Sequence, residues 1–131
     1  MLSAPILKRS KLEIIPTGYI LVNSGQVTSV QYISNTIPIP ANKTDIAVAT
    51  AMAGEMLGLK SIYLEAGSGA QHSVPIEMVK AVKQNITIPL IVGGGIRTRE
   101  QLAAIYEAGA DIAVIGNSLE NNPEMLKDIL G

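Results

Sequence analysis

The chain has 131 residues, 47% of them hydrophobic and 16% charged, with a formal net charge of −1. Those values describe one ordinary soluble domain and argue against a disordered or fibrous chain; no apolar run spans a bilayer, and near-neutral charge leaves no basic footprint for nucleic acid. With no cysteine there is no disulfide frame, thiolate metal site or thiol nucleophile, which fits a cytoplasmic protein.

In chain order, residues 3–10 read as a helix remnant, and Lys8, Arg9 and Lys11 as its solvated basic end. Basic residues placed after a short apolar stretch are in the wrong order for a secretory signal. "KLEIIPTGYILV" (11–22) is β-rich, with a bend or bulge expected at Pro16 and Gly18. "VTSVQYISN" (27–35) reads as a short strand or an irregular piece, and "NTIPIPANK" as a loop held extended by its X-Pro units. "TDIAVATAMAGEMLG" (44–58) is a helix capped by Thr44 and stopped by Gly58, its alanines and Gly54 suited to close packing.

Three near-continuous apolar runs then read as strands buried on both faces: "SIYLEA" (61–66), "PLIVGG" (89–94) and "DIAVIG" (111–116). Between the first two, "SVPIEMVKAVKQN" has Pro75 in its first helical turn and Ile76, Val79 and Val82 at threefold spacing. Between the last two, "TREQLAAIYEAG" opens with the Thr98 and Gln101 spacing of a capping box. It stripes Leu102, Ile105 and Tyr106, and stops at Gly109. "NNPEMLKDIL" closes the chain as a short helix with Pro123 in its first turn.

Strand followed by helix, four times, implies a parallel sheet with right-handed crossovers. A doubly wound open sheet accommodates that order, and so does half of an eight-unit barrel of about 250 residues. The length favours the half. The reading is an α/β chain, the C-terminal half of a TIM (β/α)8 barrel, with four parallel βα units in a single domain over residues 1–131. A core without Phe or Trp, built from Ile, Leu, Val, Ala and Met, suits such a sheet.

The glycines follow the strands. "AGSG" comes after "SIYLE", "GGG" after "PLIV" and "GN" after "DIAVI", all at C-terminal strand ends, where α/β barrels place their active sites. Glycine lets backbone N–H groups approach an anion with no Cβ in the way, and the helix that follows presents its positive end. One such cluster is an ordinary tight turn; three at one end of consecutive strands point to phosphate. Glu65, directly before the first cluster, would repel phosphate; it either suits substrate hydroxyls beside it or is a plain surface glutamate. Tyr63 shares its sheet face and either bonds a polar ligand or fills the barrel mouth. His72, the sole histidine, carries no sign of a base, and Asp45 and Asp111 read as a helix first-turn acid and a strand-start residue.

"YLEAGSGA", "VGGGIRT" and "GNSLE", with "LEIIPTGYILVNSG", resemble the geranylgeranylglyceryl phosphate synthase family, a modified TIM barrel, over the whole chain but only the C-terminal half of a member. The resemblance implies a magnesium-dependent prenyltransferase that joins sn-glycerol 1-phosphate to a prenyl diphosphate in ether phospholipid biosynthesis. It implies glycerol-phosphate contacts at Tyr63, Leu64, Glu65, Ala66, Gly67, Ser68 and Gly69, at Gly94 and Gly95, and at Gly116 and Asn117. Glu65 is the catalytic candidate, holding the glycerol hydroxyls. The chain starts near the family's fifth βα unit. The Mg2+ ligands, a phosphate-binding lysine and much of the prenyl cleft belong to the absent first strands. This half is therefore expected to be inactive alone and to associate with itself or with an N-terminal half-barrel. The alternatives are a non-catalytic or engineered self-associating phosphate-binding half-barrel, and another phosphate-handling barrel enzyme such as an isomerase of histidine biosynthesis. "YLEAGSG" lacks the acid–base pair such an isomerase needs.

Overall fold

A computed structural model describes residues 3–25, 27, 29–116, 119 and 122–130. The elements run α1 (Ala4–Arg9), β1 (Thr17–Leu21), α2 (Ser29–Ser34), α3 (Thr44–Met56), β2 (Ser61–Glu65), α4 (Ile76–Asn85), β3 (Leu90–Gly93), α5 (Arg99–Glu107), β4 (Ile112–Val114) and α6 (Met125–Leu130). All three strand pairings are parallel, in the order β1-β2-β3-β4. A doubly wound sheet reverses its strand order at a switch point, whereas a barrel adds each strand beside the last. The unreversed order is that of four consecutive barrel units.

Strand alternation divides the side chains between two faces. Ile62, Leu64, Leu90 and Val92 are fully buried with Ala47 and Ala51 of α3, Met78, Val79 and Val82 of α4, and Ile105 of α5. The closeness of α3 has a simple cause: a Cβ on Gly54 would sit 3.1 Å from Ile62 Cδ1 and from Leu59 Cδ1. On the opposite face, the register lines up Tyr19, Tyr63, Ile91 and Ile112 in one row, and Leu21, Glu65, Gly93 and Val114 in the next. In a closed barrel this face is the packed interior. Here Tyr19 and Ile112 are each 49% exposed and Val114 is 40% exposed.

Several local expectations need correction. Residues 29–34 form a helix, not a strand or an irregular piece. Its backbone groups are satisfied within the helix rather than in the sheet. Thr44 is the first residue of α3 rather than its cap; Lys43 holds the cap position without a side-chain bond. Pro75 and Pro123 both precede their helices. Ile76 and Tyr106 lie on the exposed flanks of their helices, and Met78 enters the core in place of Ile76. The capping box of Thr98 and Gln101 is formed with both of its bonds. No helix among the described residues is long and apolar enough to cross a membrane.

Candidate functional site

The turns after β2 and β3 lie side by side at the C-terminal ends of the strands. Gly67 and Gly69 adopt φ of +97° and +72°, and Gly94 and Gly95 adopt +84° and +71°, backbone conformations that cost other residues steric strain. Close approach adds to the demand. A Cβ on Gly94 would lie 2.6 Å from Glu65 Oε1 and 2.8 Å from Gly67 N, and one on Gly95 would lie 2.8 Å from the His72 backbone. The glycine triplet therefore lets the β3–α5 turn nest against the β2–α4 turn. Gly116, past β4, is different: a Cβ there would meet nothing within 4 Å among the described residues. The protein makes no steric demand for glycine there, so its bareness leaves space for something else.

Glu65 is only 7% exposed. Its Oε1 accepts the Gly67 N–H at 2.6 Å, and the Tyr63 hydroxyl lies close enough to feel the same carboxylate. The i, i+2 spacing places both side chains on the inner face. Burial pushes the Tyr63 hydroxyl well above the ordinary tyrosine range, assisted by the Glu65 carboxylate and by Tyr19. Tyr19 stands edge-on to Tyr63, with ring centroids 5.1 Å apart and planes at 75°. Burial, then the Glu65 charge, raises its pKa to about 12. Both phenols thus stay protonated as hydrogen-bond donors at neutral pH.

A cleft of about 340 Å³ opens over these groups. It brings together Tyr63 and Glu65, then Gly67, Ser68 and Gly69, then Gly94 and Gly95, and finally Gly116. Leu64 and Ala66, also expected as contacts, are not among the described residues of its wall. Leu64 and Ala66 are buried in the core cluster, because alternation turns them away from Tyr63 and Glu65; only their backbones are near the cleft. Asn117 lies outside the described residues. Asp111 is at the opposite end of the sheet, where Lys83 Nζ and the Leu90 N–H bind its Oδ2, each at 2.7 Å. Arg97, which sequence reasoning passed over, lines the cleft. Its place in "GGGIR", two residues past the last glycine, was the available signal.

Among the described residues there is no group of three or more His, Cys, Asp or Glu side chains able to hold a metal ion. Among the described residues of the cleft Glu65 is the one carboxylate, and it already accepts the Gly67 N–H. The described residues do not fit a magnesium site, and no chemical step below passes through one.

The PcrB family model matches residues 4–131. The chain belongs to the PcrB family. Within it, the chain is 50% identical over 129 residues to a geranylgeranylglyceryl phosphate synthase of Spirosoma linguale, covering 98% of this chain and 52% of the relative. It is 54% identical over 120 residues to the synthase of Flavobacterium johnsoniae, covering 92% and 49%. The crystal structure of (S)-3-O-geranylgeranylglyceryl phosphate synthase from Thermoplasma acidophilum, in complex with substrate sn-glycerol-1-phosphate, superposes with a TM-score of 0.89 at 35% identity, covering 98% of this chain and 51% of that one. The chain spans about half the length of the PcrB relatives it matches.

Proposed function

We propose that this chain is a single (βα)4 half-barrel that forms the phosphate-binding half of a prenyltransferase, one joining sn-glycerol 1-phosphate to geranylgeranyl or a similar diphosphate. The observation that carries the reading is one cleft in which the turn glycines 67, 69, 94, 95 and 116 meet the Glu65–Tyr63 pair. Glycine turns at strand ends suit a phosphate, while the lone pairs of a carboxylate suit hydroxyls. The two ends of glycerol 1-phosphate call for those two chemistries. The sn-glycerol-1-phosphate bound in the Thermoplasma acidophilum relative supports that choice.

The division of labour follows from the geometry. The turns hold the phosphate; Glu65, fixed by Gly67, orients the glycerol hydroxyls as their acceptor. Its contribution is positioning of the attacking oxygen, an effect worth several orders of magnitude in effective concentration. The magnesium that the family resemblance implies would supply positive charge for the departing diphosphate, with its ligands in the other half of the family barrel. The isolated chain is expected to bind without turning over, in the cytoplasm. The second reading, a non-catalytic self-associating phosphate binder, draws on the exposed inner-face row of Tyr19 and Ile112.

Titration calorimetry with sn-glycerol 1-phosphate tests the reading. Binding is expected in the wild type and lost in Gly116→Val, which fills open space without touching the fold. Equal affinity in both, or none in either, overturns the site.

A further inference from the structure

Two charged side chains line the cleft among the described residues, Glu65 and Arg97. A phosphate dianion beside a buried carboxylate is opposed by like charge, which is costly where water is excluded. Backbone dipoles supply part of the compensation. The start of α5 offers less of it than a bare helix end would. The Gln101 side-chain oxygen accepts the N–H of Arg97 at 2.8 Å and that of Thr98 at 3.2 Å, and Thr98 Oγ1 accepts the N–H of Gln101 at 3.2 Å. Those donors are taken up by the cap, which leaves the Arg97 side chain as the cationic group of this turn.

That side chain also reaches across the cleft rim. Arg97 Nη2 donates to the Ala70 carbonyl at 2.8 Å. Ala70 ends the turn that begins at Gly67, and its own N–H donates to Gly67 O at 3.2 Å. Arg97 thus ties the glycine turn after β3 to the glycine turn after β2. A guanidinium carries five N–H donors in a planar fork and stays charged at any ordinary pH. One bond to Ala70 leaves most of the fork available for an oxyanion.

We infer that Arg97 is a further residue of the phosphate site: it latches the Gly67–Ala70 turn in place and supplies the positive charge that offsets Glu65. This rests on the phosphate-binding reading above. The two functions separate by chemistry. A latch depends on the fork reaching Ala70, while compensation depends only on charge and is therefore screened by salt.

The test is calorimetric titration of sn-glycerol 1-phosphate, and of inorganic phosphate, into the wild-type chain, Arg97→Gln and Arg97→Lys at several salt concentrations. Loss of a charged hydrogen bond predicts about tenfold to a hundredfold weaker binding in Arg97→Gln, with a shallower dependence of affinity on salt. Arg97→Lys is expected to restore the salt dependence and part of the affinity. Wild-type affinity and salt dependence in Arg97→Gln overturn the inference, leaving the phosphate reading intact if Gly116→Val still abolishes binding. Weaker binding with unchanged salt dependence, not rescued by lysine, reduces Arg97 to a structural tie and also overturns it. Failure of the wild type to bind either probe overturns the phosphate reading and this inference with it.

Discussion

Tyr19 stands edge-on to Tyr63 from the neighbouring strand, with ring centroids 5.1 Å apart, and Tyr63 shares its strand face with the Glu65 carboxylate two residues further along. Removing the tyrosine proton would set a phenolate against that carboxylate. Burial first, and the Glu65 charge after it, keep both phenols protonated beyond the ordinary tyrosine value of 10.0, to about 12 for Tyr19 and further for Tyr63. Because the unfolded chain releases these protons first, their stabilising contribution is complete below pH 10 and is lost as pH rises toward 12 and beyond. Urea denaturation across that window is expected to show a steeper loss in the wild type than in Tyr63→Phe. Parallel curves for the two would remove the coupling between Tyr63 and Glu65.

Glycines 94 and 116 are expected to behave in opposite ways. Gly94 combines a φ of +84° with a Cβ position 2.6 Å from Glu65 Oε1. Gly94→Ala should cost about 1–3 kcal/mol of stability through backbone strain alone. Gly116 has neither problem, so Gly116→Ala should change stability by less than about 0.5 kcal/mol, while weakening glycerol-phosphate binding. Thermal melts with and without ligand separate the two effects. A Gly116→Ala chain that melts low without ligand would show that its role is structural.

Much of this was legible because local signals agreed with the fold. The runs at 61–66 and 89–94 became strands because helices cover their outer face and a parallel strand pairs with each of their edges, and Thr98 with Gln101 capped α5 as their spacing required. Glycines marked the site, but not why each is there: Gly94 and Gly95 answer to neighbouring backbone, which spacing cannot reveal. Residues 29–34 misled because Val30 and Ile33 are β-branched residues, whose local preference for a strand does not decide the outcome. Arg97 escaped notice because its partner, the Ala70 carbonyl, is 27 residues away in sequence.

The end of the sheet away from the cleft carries acid-sensitive ties. Glu55 of α3 accepts the Thr87 N–H at 2.9 Å, the Thr87 hydroxyl and the Ile88 N–H at 3.2 Å. These bonds, the Thr87 hydroxyl foremost, hold its carboxyl below the usual 4.5. Lys83, followed by the Leu90 N–H, does the same for Asp111 below 3.8. A lowered carboxyl pKa stabilises the native state above the unfolded value and ceases to do so as pH falls through the native one. Stability should therefore decline from about pH 4.5 downward, and less steeply in Glu55→Gln. Denaturation midpoints at pH 6, 4 and 3 check this; an unchanged acid limb in the variant would mean that Glu55 makes no net contribution.

Assembly follows from the inner face. A closed barrel fills the space above Tyr19, Tyr63, Ile91 and Ile112 with side chains from its other strands. Here the ends of that row are half-exposed, and no strand among the described residues continues the sheet past β4. An open strand edge beside an apolar face invites pairing with another chain. Two copies that bring these faces together about a twofold axis would cover both, in the commonest form of oligomer. Outer helices give the competing arrangement, since Met56 and Leu57 at the end of α3 are also exposed. Substitution separates the two. Ile112→Lys places a charge on the inner face and should shift the chain toward monomer, whereas Met56→Lys should leave its association unchanged. Sedimentation velocity at micromolar concentration reads both variants; a well-folded wild-type monomer would show that the inner face is tolerated in water, and the reverse pattern of variants would move the interface to α3.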